Sequence, residues 1–247
     1  MGDIFSAAYI LGTLNGYFPD GTIHLAVVDP GVGSSRNALA IDMGSQFFVG
    51  PDNGLASHLC PAVEKASIIQ SRDDTIGTGS TRAPEGWQVY KLNKPEYWSH
   101  PVSPTFHGRD VFAPVAAHIS LGLHPSDMGL LTSELVVLKD SVPRKDGNIV
   151  SGSVIHIDGF GNIVSNITEE WIEGDRGSAK IHMDTLTVVG VDQYYSEKYD
   201  DFIVLINSAG YLELAYPGKS AADLLHPQIG QSFNLELVEK GKTDNPV

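Results

Sequence analysis

The apolar run that ends at Val28 stops abruptly at Asp29-Pro30-Gly31, and the turn that follows, Val32-Gly33-Ser34-Ser35, closes on Arg36. Thr22 to Val28 is nearly all apolar, as strands buried in parallel sheets are. Open α/β sheets bind ligands beyond the carboxyl ends of such strands. Asp29 and Arg36, delivered to that edge, are the first candidates for a site.

A chain of 247 residues holds one large domain or two smaller ones. Its 42% apolar and 19% charged residues are those of a soluble globular protein. With no apolar run long enough to span a bilayer and no basic-then-apolar leader, membrane insertion and export are not expected, and a cytoplasmic protein is the default. Sixteen Lys and Arg against 30 Asp and Glu give a net charge of −14. That charge repels polyanions, and no basic cluster with interleaved aromatics offsets it, so nucleic acid is not an expected partner. Cys60 is the only cysteine, which excludes an internal disulfide, and its setting, LASHLCPAV, reads as core rather than nucleophile. The nine histidines are scattered without ligand spacing, so no metal is expected. No phosphate-binding glycine loop follows a strand, so the ligand is not expected to carry a nucleotide phosphate.

Ile4, Ala7, Ala8 and Leu11 recur at helical spacing, and Gly16 with Pro19 closes that helix. Met1 to Ser6 also fits the N-myristoylation pattern, but Ile4 and Phe5 suit a packed helix. Strands are expected at Ala38–Met43, Gln46–Val49 and Ala66–Gln70. Gly50-Pro51-Asp52-Asn53-Gly54 leads into a helical Leu55–Leu59, with Asp52 either an N-cap or a ligand group. Polar, Gly-rich Asp73–Gly86 reads as a loop.

Thr105-Phe106-His107-Gly108-Arg109-Asp110 precedes an expected helix at Val111–Ile119. Asp110 is placed to cap it and Arg109 to pair with an acid, whereas His107, in the loop and off the apolar face, is a third site candidate. Pro143–Asn148 reads as a linker. Beyond it, Ile149–Ile157, Gly161–Ile167, Ala179–Met183, Leu186–Val189, Phe202–Ile206, Leu212–Tyr216 and Phe233–Leu237 read as strands of an antiparallel barrel or sandwich. The expected architecture is an α/β domain with a central, mostly parallel sheet over residues 1–142, followed by a β-rich domain over 149–240. Asn166-Ile167-Thr168 is a glycosylation sequon that matters only in a secreted chain.

VVDPGVGSSR, GPDNGL, SPTFHGRDVFAPVAAH, IDGFGNIVSNI and NSAGYLELA, in this order, resemble the S-adenosyl-L-methionine hydroxide adenosyltransferases, relatives of the fluorinase and chlorinase. The resemblance runs from about Gly2 to Val238. It implies hydrolysis of S-adenosyl-L-methionine to adenosine and L-methionine without a cofactor, through an Asp-Arg-His set that falls on Asp29, Arg36 and His107. The halogenases carry Tyr where Asp29 stands, so the resemblance favours water over halide. It assigns the methionine part to Asp158, Phe160, Asn162 and Ser208, with Asp158 suited to the α-ammonium. Ala209 stands where the halogenases have Arg, which leaves the methionine carboxylate unassigned. Thr105 and Phe106 resemble residues lining the adenosine pocket, and Asn53 faces the ligand region.

The family's site lies between the N-terminal domain of one subunit and the C-terminal domain of the next in a homotrimer. Family members usually begin with a strand ending in a TDFG-like motif, then a helix and a second strand. Those roughly forty to fifty residues, about one βαβ unit, are absent here, which predicts a truncated form or a shortened variant with weaker nucleoside binding. Competing functions are a halide-dependent 5′-halo-5′-deoxyadenosine synthase and a non-catalytic S-adenosylmethionine- or adenosine-binding protein.

Overall fold

The structure is a computed structural model that describes residues 3–59, 69–70, 78–139 and 142–238. Cys60 and the first two residues of the myristoylation pattern lie outside the described residues. Two units are formed, Met1–Lys139 and Asp140–Val247.

In the first unit, α1 (Ile4–Asn15) starts where the Asp3 carboxylate accepts the Ser6 N–H at 3.0 Å, an N-cap that satisfies one orphan donor of the first turn. Five strands follow in the order β1-β3-β2-β6-β7: β1 (Ile23–Leu25), β2 (Ala38–Asp42), β3 (Phe47–Pro51), β6 (Gln88–Leu92) and β7 (Gly129–Thr132). Only β1 and β3 pair in parallel, and the other three pairs are antiparallel. The expected mostly parallel sheet is therefore mixed. The reason is local: the Met43 N–H reaches the Gln46 carbonyl at 2.9 Å, so the chain turns straight from β2 into β3 as a hairpin, and parallel pairing needs a crossover of a dozen or more residues.

Alternation along the strands buries both faces. Leu39, Ile41, Phe48 and Val89 pack with Ile4, Ala8 and Leu11 of α1. Ala40, Val49 and Leu92 pack with Val111, Phe112, Val115 and Ile119 on the opposite face. Those residues belong to α2, which opens at His107, passes through a π-turn at Gly108–Phe112 and continues as Ala113–Ser120. A smaller antiparallel sheet joins β4 (Ile69–Gln70), β5 (Thr78–Arg82) and β8 (Glu134–Leu138). β5 occupies part of the expected loop Asp73–Gly86: its Thr-rich sequence alternates inward and outward, and Thr residues suit such a half-buried strand.

The second unit is antiparallel. Its order is β13-β12-β16-β10-β11-β15-β14, built from β10 (Ile149–Ile157), β11 (Ile163–Thr168), β12 (Lys180–Met183), β13 (Leu186–Val189), β14 (Ile203–Ile206), β15 (Tyr211–Ala215) and β16 (Ser232–Glu236). Just past β13, Asp192 bridges Leu205 of β14 and donates its N–H to the Val204 carbonyl at 2.7 Å, so the two edges nearly close a barrel. Val150, Val154, Ile163, Ile167, Leu212, Phe233 and their neighbours fill it. The expected linker Pro143–Asn148 instead contains β9 (Arg144–Asp146), which pairs with β10. Among the described residues no helix is long and apolar enough to cross a membrane.

Candidate active site

β1 and β3 run parallel, so the turns after both strands reach the same sheet edge. The chain beyond β1 turns at Asp29 and Gly31, whose carbonyls accept the N–H groups of Val32 and Ser34 at 3.2 and 3.0 Å. Gly33 has φ +80°, and a Cβ there would lie 2.9 Å from the Pro104 carbonyl oxygen, so only glycine lets this turn seat against the segment that carries His107.

Inside the turn Arg36 is shared among all its neighbours. Its Nε donates to Asp29 Oδ1 at 2.9 Å, its Nη2 donates to Asp29 Oδ2, and its Nη1 donates to the Asn37 carbonyl at 3.1 Å. Nη2 also meets His107 Nδ1 at 3.1 Å. The Phe112 ring lies 5.2 Å from the guanidinium carbon, and the Asp29 and Arg36 side chains are 5% and 10% exposed. Asp29 and Arg36 thus form a bidentate pair with buried side chains, the geometry in which a charge pair is most ordered, and the half-buried His107 joins it at Nη2. A cavity of about 370 Å³ opens beside it, with Arg36, Lys91, Asn93, Trp98 and His107 among its walls.

Asn53 is tied to the same turn, since its Nδ2 donates to the Val28 carbonyl at 2.9 Å and its Oδ1 accepts from Leu55 N at 3.3 Å. Asp52 caps no helix. Leu55–Leu59 is a turn ending in the 3-10 segment Ser57–Leu59, and the buried Asp52 carboxylate accepts instead from Val136 N at 2.7 Å and Asn37 Nδ2 at 3.0 Å. Burial pushes its pKa up, against those hydrogen bonds.

His107 begins α2 rather than lying in a loop, and Asp110 therefore falls inside the helix and does not cap it. Its buried carboxylate accepts Ser103 N at 2.8 Å and Arg109 Nε and Nη2 at 2.6 and 3.0 Å. The hydrogen bonds from Arg109 and then Ser103 pull its pKa down to about 2. Thr105 and Phe106 are exposed beside His107.

In the second unit, the Asp158 carboxylate closes its own loop: Oδ1 accepts Phe160 N at 2.8 Å and Asn162 N at 2.9 Å, and Oδ2 accepts Asn162 Nδ2 at 3.0 Å. Phe160 is 82% exposed at the tip. Ser208 sits exposed on the turn after β14, which Asn207 holds by accepting Ala209 N and Tyr211 N at 3.0 and 3.1 Å. One residue escapes the sequence reading, Glu213, buried in β15. It accepts from Tyr195 Oη at 2.6 Å and Asn207 Nδ2 at 3.3 Å, and it pairs in register with Val164 of β11, next to the Asp158 loop. Burial raises its pKa, and the nearby Asp158 charge adds to that. Its only signal in the sequence is a single acid between the leucines of YLELA.

The first unit is thus an α/β layer with a carboxylate–guanidinium–imidazole set at a sheet edge beside a cavity, and the second is a β unit with polar loops. The family descriptions "SAM hydroxide adenosyltransferase N-terminal domain" and "SAM hydroxide adenosyltransferase C-terminal domain" match residues 1–129 and 152–234. The chain belongs to the SAM hydroxide adenosyltransferase family.

It is 32% identical over 226 residues to a protein of Salinispora tropica named (R)-S-adenosyl-L-methionine hydrolase, covering 91% of this chain and 78% of that one. Identity is 34% to a protein of the same name from Methanocaldococcus jannaschii, over 91% of this chain and 74% of that one. A fluorinase of an Actinoplanes species is more distant, at 23% identity over 91% of this chain and 79% of its own length. The crystal structure of an uncharacterized conserved protein from Thermotoga maritima superposes with a TM-score of 0.76 at 28% identity, over 95% of this chain and 84% of that one.

Proposed function

We propose that this protein hydrolyses (R)-S-adenosyl-L-methionine to adenosine and L-methionine. The observation that carries the reading is the hydrogen-bonded Asp29–Arg36–His107 set, in a chain about one-third identical to hydrolases of that name. A sulfonium leaves as a neutral thioether, so the leaving group needs no acid and the demand falls on the nucleophile. Water oxygen forms a bond to ribose C5′, the C5′–S bond breaks with its electron pair going to sulfur, and the water proton leaves to a base.

Asp29 is that base. A guanidinium has only donors, so His107 Nδ1 must accept from Arg36 and the ring proton sits on Nε2. The neutral imidazole cannot then take a proton at Nε2; it donates from there and orients the water. General-base help and in-line positioning are each worth orders of magnitude in rate. Nitrogen-15 NMR of the resting protein is expected to show His107 with a pyridine-like Nδ1 and a pyrrole-like Nε2, and the reverse pattern would return the base role to His107.

Thr105 and Phe106 line the adenosine end, with Asn53 steadying the Asp29 turn. Asp158, Phe160, Asn162 and Ser208 take the methionine end. The reading includes a cytoplasmic homotrimer in which neighbouring subunits complete each site, and it requires no cofactor. Purified protein incubated with (R)-S-adenosyl-L-methionine, with and without chloride or fluoride, is expected to yield equal adenosine and methionine irrespective of halide. A halonucleoside would make it a halide-using synthase, and binding without turnover a binding protein.

A further inference from the structure

The Arg109–Asp110 pair lies outside the catalytic set, and its geometry is more ordered than a surface ion pair requires. Arg109 is 65% exposed, yet Asp110, at 4%, grips it through two parallel N–H···O bonds of 2.6 and 3.0 Å. The same carboxylate holds the Ser103 N–H, and the Asp110 carbonyl accepts Ser99 N at 2.8 Å, so its anchorage reaches both the helix and the segment before it. The fixed guanidinium sits over the Phe106 ring, its central carbon 5.1 Å from the centroid. Phe106 itself is 58% exposed, directly before His107.

A cation on one face of a phenyl ring draws π density toward itself. The other face then becomes a poorer seat for a second cation such as a sulfonium and a better one for an electron-rich planar base. Fixing the ring also removes rotamer freedom that a ligand would otherwise have to freeze. We infer that Arg109 is a positioning residue, which, clamped by Asp110, holds Phe106 as a one-sided platform for the adenine of substrate and product. The inference rests on the adenosine end of the site lying at Phe106, as proposed above.

Calorimetry with adenosine tests it without turnover. Arg109→Ala is expected to weaken adenosine binding about fivefold, the scale of a partly exposed cation–π contact. KM for (R)-S-adenosyl-L-methionine should rise by the same factor while kcat and the Ki of L-methionine stay within twofold. Arg109→Lys keeps the charge but lacks the planar fork, so it should recover little of the loss. In a Phe106→Leu background, Arg109→Ala should have no further effect, because the two act as one unit.

Unchanged adenosine affinity in Arg109→Ala, full recovery by Lys, or an equal loss in the Phe106→Leu background would each overturn the inference. So would wild-type protein that turns over substrate but binds no adenosine. Adenosine binding that depends on Arg109 in a protein that hydrolyses nothing would instead overturn the hydrolase and leave Arg109 its role.

Discussion

Asp29→Asn should lower kcat for (R)-S-adenosyl-L-methionine by about a thousandfold, the middle of the range for loss of a general base, with substrate still bound. The substitution is nearly isosteric, and the amide oxygen can still accept from Arg36 Nε. What it loses is the lone pair that takes the water proton and the negative charge opposite Arg36. The amide nitrogen would then face Arg36 Nη2, donor against donor, so a cost in stability is also expected: removing one partner of a buried pair leaves the other uncompensated. The two effects separate by measurement. Thermal unfolding reports the stability loss, calorimetry with substrate reports binding, and single-turnover rates under saturation report chemistry alone. Asp29→Glu retains the charge one methylene further out and should recover folding better than rate. Turnover by Asp29→Asn within tenfold of wild type, in a variant that is folded and binds substrate, would remove Asp29 from the chemistry and with it the hydrolytic role given to the set.

Much of that set is legible in the sequence, because the residue types carry the information. A strand that runs into Asp-Pro-Gly has to turn there, and an arginine at the end of the turn has few places to go but back onto the aspartate. The partner of His107 is less accessible. The two segments meet through tertiary packing, with Gly33 seated against Pro104 and the Phe112 ring against Arg36, and no local pattern encodes a contact between residues so far apart in the chain. The mixed sheet illustrates the same limit: apolar strands read alike whether parallel or antiparallel, and the deciding hairpin between β2 and β3 closes through a Met43–Gln46 backbone hydrogen bond that no side-chain pattern announces. Glu213 is hidden for a different reason. In β15 the residues from Leu212 to Ala215 are all buried, so strand alternation marks no polar face, and the acid is explained by its partners Tyr195 and Asn207 rather than by its place in the strand.

The second large effect is on stability against acid, and it originates at His58. A Cβ on Gly12 of α1 would lie 2.6 Å from both the Cβ and the carbonyl oxygen of His58, so the absence of a side chain at Gly12 is what lets the helix press onto the Ser57–Leu59 turn. His58 is half-buried with its Nε2 shielded from solvent, and this burial lowers its pKa from 6.5 to about 4. The unfolded chain protonates His58 as the pH falls through 6.5, while the folded protein does not until about 4. Stability is therefore complete above the unfolded value, declines between the two, and levels off below the folded one. At about 1.4 kcal/mol per unit of difference the loss is about 3 kcal/mol. The measurement is the unfolding free energy of wild type minus that of His58→Gln, taken across this range so that the other titrating groups cancel. The difference should slope by nearly one proton's worth and then flatten; a flat difference throughout would mean the imidazole is not held neutral. Gly12→Ala supplies an independent arm, because overpacking by a methyl group at this contact costs about 1–3 kcal/mol. If the helix moves away to relieve the clash, water reaches the imidazole and the acid slope should shrink together with the stability. A variant that lost stability but kept the full slope would show that α1 does not bury His58.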